Sequence, residues 1–268
     1  MTDVDLQALL EEISALATKA GERILEVYNT DFDVDTKGDD SPLTQADLAA
    51  NAVITETLNT IAPQYPILSE ESVQAPFEER RQWSTYWLVD PLDGTREFVK
   101  RNGEFTVNIA LIEDGRPVLG VVYVPVTGVC YSGASGLGAF KVDETGVKST
   151  IQVKRQACGT LTVVGSRSHS NEATEAFVGR LGDVEIISIG SSLKICMVAE
   201  GRADVYPRFG PTSEWDTAAA HCVVEQAGGR LTDLDMKTLR YNSKESLLNP
   251  FFLVFGDTAH DWSKHVKT

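Results

Sequence analysis

Cations are scarce in this chain: 24 Lys and Arg stand against 39 Asp and Glu, giving a formal net charge of −15 over 268 residues. That balance excludes a general surface for nucleic-acid polymers, because phosphate backbones demand clustered Lys and Arg. It does not exclude a small anionic ligand, whose charge bound divalent cations can meet locally. Cysteine is scarce too. Cys130, Cys158, Cys196 and Cys222 are scattered, with no C-x-x-C pair and no histidine at metal spacing beside them. Reduced, mostly buried thiols are therefore expected instead of disulfides or zinc ligands. No apolar run approaches the ~20 residues of a membrane span. The start, Met1-Thr-Asp-Val-Asp-Leu6, lacks the basic and apolar regions of a secretory signal, so a cytoplasmic location is expected.

What is present is ordinary for a compact protein: 42% hydrophobic and 24% charged residues, well above the hydrophobicity of disordered chains. The length fits one large domain or two tightly joined ones. The rhythm of the sequence changes near residue 150. We expect an N-terminal α+β metal-binding domain over 1–150 and a C-terminal α/β substrate-binding domain over 151–268.

Leu6, Leu9, Leu10, Ile13, Leu16, Ala17, Ala20, Ile24 and Val27 keep the spacing of one helix face, which predicts a long amphipathic helix over 5–28. A polar stretch over 37–43, a candidate active-site flap, leads to Thr44-Gln-Ala-Asp47. That S/T-x-x-D/E pattern opens a second helix to about residue 61. Two short apolar segments, 66–71 and 86–90, each end in acid. From 106 to 142, apolar runs alternate with turn signals and predict an antiparallel meander. Beyond it, strands near 161–164, 184–188 and 204–208 alternate with helices near 171–181, 192–200 and 217–227, predicting a mixed or parallel sheet. Gly228-Gly229 should end the last of these helices in left-handed backbone, and 251–255 is a final buried strand.

The chemistry concentrates at residues 87–95, Trp87-Leu-Val-Asp90-Pro-Leu-Asp93-Gly-Thr95. Two carboxylates three residues apart turn toward one pocket only if the chain leaves strand geometry between them. Pro91 favours that departure by fixing its φ and removing a donor. Gly94 lets backbone approach a ligand. A helix beginning near Thr95 would add free N–H groups beside cations held by oxygen ligands. Glu70, Asp90, Asp93 and the distant Asp216 have the composition of a Mg²⁺ site, where two cations polarise a phosphoryl oxygen and activate water.

Plainer readings stand beside these. Each acid alone is also an ordinary solvated or capping residue, and Asp216 reads as a helix N-cap. Thr44 and Asp47 make a capping box, or Asp47 holds Thr95 so that its hydroxyl orients water. The segment Gly133-Ala-Ser-Gly-Leu-Gly138 looks superficially like a nucleotide loop, but with no helix after it turn glycines explain it better. On residues alone, His169 reads as an exposed loop histidine, and Lys194 and Arg208 as surface charges.

Asp90-Pro-Leu-Asp-Gly-Thr95, with Glu70-Glu71, Trp215-Asp216 and Gly228-Gly229, resembles the signature of the lithium-sensitive inositol monophosphatase superfamily across almost the whole chain. Ser41-Pro-Leu-Thr-Gln-Ala-Asp47, Lys100-Arg-Asn-Gly-Glu-Phe-Thr-Val-Asn-Ile-Ala110 and Ser188-Ile-Gly-Ser-Ser-Leu-Lys194 narrow the resemblance to its bacterial CysQ-type branch, the 3′(2′),5′-bisphosphate nucleotidases. Arg96 departs from the Lys expected there and keeps the charge. The resemblance implies a layered α-β-α-β-α sandwich of α+β and α/β character. It implies a Mg²⁺-dependent hydrolase of sulfur metabolism that releases the 3′-phosphate of adenosine 3′,5′-bisphosphate, giving AMP and phosphate, with phosphoadenylyl sulfate as a second substrate.

By the same resemblance, Glu70, Asp90 and the Leu92 carbonyl hold one Mg²⁺ and Asp90, Asp93 and Asp216 another, with a third, weaker ion near Glu70. Gly94 and Thr95 bind the scissile phosphate; Asp47 with Thr95, or Glu70 through a metal, activates water. His169, Ser191, Lys194 and Arg208 surround the nucleotide, reversing the plain readings of His169 and Lys194. Inner-membrane contact, implied for some relatives, would have to be peripheral. Two alternatives keep the pocket: an inositol or sugar phosphate monoesterase, and a non-catalytic nucleotide sensor.

Overall fold

The computed structural model of the protein describes residues 5–36, 42–166 and 171–266. Helices α1 (Leu6–Tyr28) and α2 (Gln45–Ile61) come first, bridged by the antiparallel pair β1 (Asp35–Thr36) and β2 (Pro42–Leu43). Asp5 caps α1 by accepting from the Gln7 and Ala8 amides, and Thr44 with Asp47 forms the expected capping box on α2. Of the candidate flap, residues 37–41 lie outside the described residues.

A seven-stranded sheet follows in simple sequence order: β3 (Ile67–Ser69), β4 (Thr85–Asp93), β5 (Thr106–Glu113), β6 (Arg116–Tyr123), β7 (Cys130–Ala134), β8 (Gly138–Val142) and β9 (Lys148–Ile151). Only the β3–β4 pair is parallel. Short helices α3 (Phe77–Arg80) and α4 (Thr95–Val99) flank β4. The second sheet has the order β11-β10-β12-β14-β13, built from β10 (Leu161–Ser166), β11 (Val184–Ile189), β12 (Val205–Arg208), β13 (Arg230–Asp233) and β14 (Phe252–Phe255). Its β11, β10 and β12 are parallel, while β14 runs antiparallel to both its neighbours, β12 and β13. Helices α5 (Glu172–Leu181), α6 (Leu193–Ala199), α7 (Glu214–Gln226) and α8 (Ser263–Val266) complete it.

Strand alternation decides the layering. Along β4, Trp87 and Val89 pack with Ile13 and Ala17 of α1 and Ile54 of α2. Tyr86 and Leu88 face the opposite way, into a core shared with Val198 of α6, Ala219 and Val223 of α7, and Phe252 and Val254 of β14. The far face of the second sheet, through Val163, Val205 and Leu253, meets Phe177 of α5 and Trp262 beside α8. The order is helices, sheet, helices, sheet, helices: the α-β-α-β-α sandwich.

One close approach fixes the middle layer. A Cβ built on Gly120 of β6 would lie 2.2 Å from the Ala219 carbonyl oxygen and 2.8 Å from the Cys222 Cβ, so α7 rests directly on the strand backbone. Gly228, with φ of 95°, ends that helix in left-handed backbone as the glycine pair predicts.

The structure also corrects details. The helix expected over 217–227 begins at Glu214 with Ser213 as its N-cap, and Asp216 sits in its first turn as the far member of a capping box, its Oδ2 accepting from the Ser213 amide at 2.9 Å. Strands β9 and β13 and helices α3 and α8 were not anticipated. Lys148-Ser-Thr-Ile151 is a mostly exposed edge strand without an apolar run, and β13 is too short to show a period. All four cysteines are free, with Cys158 exposed and the others buried.

Candidate active site

The site starts at a defect in β4. Asp90 pairs with Asn108 and Asp93 with Thr106, so β4 spends three residues where β5 spends two. In a regular strand, positions i and i+3 face opposite sides. The bulge at Pro91 and Leu92 removes that opposition, and Pro91 needs no ladder donor there. Both carboxylates then act on one another.

Gly94 turns the chain with φ of 95°. A side chain there would meet the Glu104 carbonyl oxygen at 3.2 Å and the Ser191 Cβ at 3.4 Å, so glycine is required by both backbone and space. Thr95 opens α4, and its Oγ1 donates to Asp47 Oδ1 at 3.2 Å, with the Leu92 carbonyl oxygen 3.4 Å away. Asp47 Oδ2 accepts from the Thr44 amide at 2.8 Å and from the Thr44 hydroxyl at 2.7 Å. The capping role and the Thr95 contact coexist on one buried carboxylate.

Burial, then the charges of Glu70, Asp93 and Asp216, push the Asp90 carboxyl well above the usual range. Burial, followed by Asp93, does the same to Asp216. Asp93 is raised by burial to about 6, less than the others because Lys194 and the Ser192 amide favour its charge. Among the described residues, no group of three or more acid, histidine or cysteine side chains forms a ready metal cage. The chemistry of the donor set nevertheless fits a hard divalent cation: all its side-chain donors are carboxylate oxygens, and three of them are held in mutual repulsion away from water.

A cavity of about 320 Å³ opens beside these acids. Asp93, Gly94, Thr95, Ser191, Lys194, Arg208 and Asp216 line it together, with Tyr206 and Phe252 supplying apolar wall. Lys194 is buried, and desolvation lowers its ammonium to about 8 despite the attraction of Asp93. Arg208 donates through Nη2 to the Pro211 carbonyl oxygen at 2.8 Å, while its buried Nε has no hydrogen-bond partner among the described residues. Residues 93–95 and the Lys194–Arg208 pair thus meet in one pocket. Glu70, Asp90, Leu92 and Asp47 are not among the residues that line it. His169 lies outside the described residues.

Sequence reasoning missed Thr106, Asn108 and Ser192, which are buried around Asp93. The signal was Thr106-Val-Asn108: two polar residues at strand period inside an apolar run. Glu214, two residues before Asp216, turns away from the cavity. Its Oε2 accepts from the Asn242 amide at 2.7 Å, its Oε1 lies 4.0 Å from Lys244 Nζ, and burial raises it to about 7. Gly136, between β7 and β8, and Gly138, the first residue of β8, have positive φ, as glycines of a turn should.

Residues 5–261 match the Inositol monophosphatase family. The chain belongs to this family. The 3′(2′),5′-bisphosphate nucleotidase CysQ of Salmonella typhimurium is 54% identical over 248 residues, covering 92% of this chain and 99% of that protein. The crystal structure of CysQ from Bacteroides thetaiotaomicron, a bacterial member of the family, superposes with a TM-score of 0.80 at 45% identity, covering 91% of this chain and 96% of the other. An IMPase from Thermotoga maritima gives a TM-score of 0.79 at 26% identity, over 97% and 96%. The layered sandwich is thus the fold of this family. Among the described residues, no helix is long and apolar enough to cross a membrane.

Proposed function

We propose that the chain is a Mg²⁺-dependent 3′(2′),5′-bisphosphate nucleotidase, releasing the 3′-phosphate of adenosine 3′,5′-bisphosphate and acting also on phosphoadenylyl sulfate. The observation that carries this reading is the shared cavity, in which Asp93, Gly94 and Thr95 face the same space as Lys194 and Arg208. A ligand with two phosphates suits such a lining, with one phosphate against the backbone turn and the other met by two cations. Its relatives named 3′(2′),5′-bisphosphate nucleotidase, 54% identical in one case, support the same substrate class.

In this proposal Glu70, Asp90, the Leu92 carbonyl, Asp93 and Asp216 hold the metal ions, which supply Lewis acidity at the phosphoryl oxygens and charge for the leaving group. Gly94 brings the backbone of the α4 start against the scissile phosphate. Thr95 donates its proton to Asp47, so its oxygen lone pairs are free to accept from the attacking water and aim it at phosphorus. Asp47 then receives the proton through the Thr95 hydroxyl. Ser191 and His169 join Lys194 and Arg208 around the nucleotide. The first part of the chain, 1–150, supplies metal and water chemistry; the remainder supplies specificity and Asp216.

The test is a set of side-by-side initial rates on adenosine 3′,5′-bisphosphate, phosphoadenylyl sulfate and inositol 1-phosphate with Mg²⁺ present. The bisphosphate should give the highest kcat/KM. Fast turnover of inositol 1-phosphate with the bisphosphate left intact would replace this reading with a monoesterase.

A further inference from the structure

A buried row of hydroxyl and amide groups crosses between the two sheets and ends on Asp93. Ser192 Oγ lies 2.8 Å from Asn108 Oδ1, an oxygen that can only accept. The single Ser192 proton is therefore committed to Asn108. Thr106 Oγ1, 2.9 Å from Ser192 Oγ, must then be the donor in that pair. With its oxygen occupied by Ser192, Asn108 presents its Nδ2 to Asp93 Oδ2 at 3.5 Å, the longest link. Every proton in the row Thr106, Ser192, Asn108, Asp93 points the same way, an arrangement in which each bond polarises the next.

The Ser192 amide donates to the same oxygen, Asp93 Oδ2, at 2.5 Å. Two donors thus hold one oxygen of the carboxylate. The other, Oδ1, is left out of this row. Thr106, Asn108 and Ser192 are all buried, at 0%, 1% and 4% exposure, so water cannot replace a lost link cheaply. Thr106 and Asn108 belong to β5 of the first sheet, whereas Ser192, just before α6, lines the cavity together with Ser191 and Lys194.

We infer that Asn108 and Ser192 are positioning residues that select Asp93 Oδ1 as the metal-facing oxygen and lock the start of α6, which carries Ser191, Ser192 and Lys194, to the metal half of the site. The inference rests on the reading above in which Asp93 is a metal ligand. It makes Asn108 act on the metal and Ser192 act through Asn108, with no contact of either side chain to substrate required.

The experiment is direct titration of the metal-free protein with Mn²⁺ by calorimetry, alongside nucleotidase kinetics. Asn108→Ala should raise the Mn²⁺ Kd about tenfold or more, the effect typical of groups that orient metal ligands. Ser192→Ala should raise it less, since the Ser192 amide remains, and Ser192→Thr should restore it. The Asn108→Ala/Ser192→Ala double variant should bind no worse than Asn108→Ala alone. Unchanged Mn²⁺ affinity in both folded single variants, or losses that multiply in the double variant, would overturn the inference. Should Asn108→Ala fail to fold, Ser192→Ala and its Ser192→Thr rescue decide alone. A parent protein that binds Mn²⁺ but leaves the bisphosphate intact would remove the proposed substrate and leave this inference standing on its binding data. A parent that binds no Mn²⁺ would overturn both.

Discussion

Asp47 and Thr95, separated by 48 residues, share a hydrogen bond of 3.2 Å from the threonine hydroxyl to Asp47 Oδ1. Asp47 is anchored by its other oxygen to Thr44, so the capping box of α2 also holds the group that orients Thr95. The pair tests the proposed proton route. Asp47→Asn preserves a capping acceptor and removes the charge; it should lower kcat by roughly 10²–10⁴, the contribution of a positioned acid or base. KM should change little, because the amide still bonds Thr95. Thr95→Val should fall as far, and Thr95→Ser should keep most activity. Full kcat in folded Asp47→Asn would remove Asp47 from the chemistry.

The buried acids make metal and proton compete. Asp93 titrates near 6 in the folded protein against an ordinary 3.8, chiefly through burial, and Asp90 and Asp216 are shifted further in the same direction. An unfolded carboxyl releases its proton first, so between 3.8 and about 6 the folded state binds more protons and stability falls as pH rises. Metal-free protein should therefore melt at a lower temperature at pH 7.5 than at pH 5. Saturating Mg²⁺ should reverse this, adding about 5 °C or more at pH 7.5 and less at pH 5, where protons must be displaced. Differential scanning fluorimetry with EDTA and with Mg²⁺ reads both arms. A Mg²⁺ increment equal at the two pH values would contradict the placement of ions among these carboxylates.

The layered architecture was readable because helix and strand periods differ: Leu9, Leu10, Ile13 and Ala17 mark one face of α1, and the paired faces of β4 are continuous apolar residues, as buried strands are. The bulge was half legible, through Pro91, but its register against Asn108 and Thr106 depends on a partner strand that local sequence does not name. Lys194 and Arg208 needed the family resemblance to be noticed, since nothing local separates a buried cation from a solvated one. Glu214 shows the limit from the other side. It stands two residues before Asp216 in sequence, yet that turn of the helix sends it to Asn242 and away from the cavity.

Lys194 and Arg208 carry the proposed preference for two phosphates. Lys194→Met or Arg208→Met should raise KM for adenosine 3′,5′-bisphosphate by roughly tenfold or more, equivalent to losing ~1.5–3 kcal/mol from a charge-assisted hydrogen bond. The rate on inositol 1-phosphate should barely move, because a singly phosphorylated substrate has no second anion to lose. A parallel loss on both substrates would instead make these cations part of the general phosphate chemistry.

Gly120 and Gly179 offer the same substitution with opposite signs. A methyl group on Gly120 would enter the Ala219 carbonyl at 2.2 Å, and α7 cannot yield without moving Asp216, which its first turn carries. Gly120→Ala should destabilise by about 1–3 kcal/mol through overpacking and lower activity through the displaced carboxylate. Gly179 lies on an exposed face of α5 with nothing within 4 Å of a built Cβ. Alanine there gains helix propensity and reduces the freedom of the unfolded chain, so Gly179→Ala should stabilise by about 0.4–1 kcal/mol and leave kcat unchanged. Urea unfolding of both variants measures the two effects on one scale. Gly120→Ala with parental stability and kcat would show that contact between β6 and α7 does not set the position of Asp216.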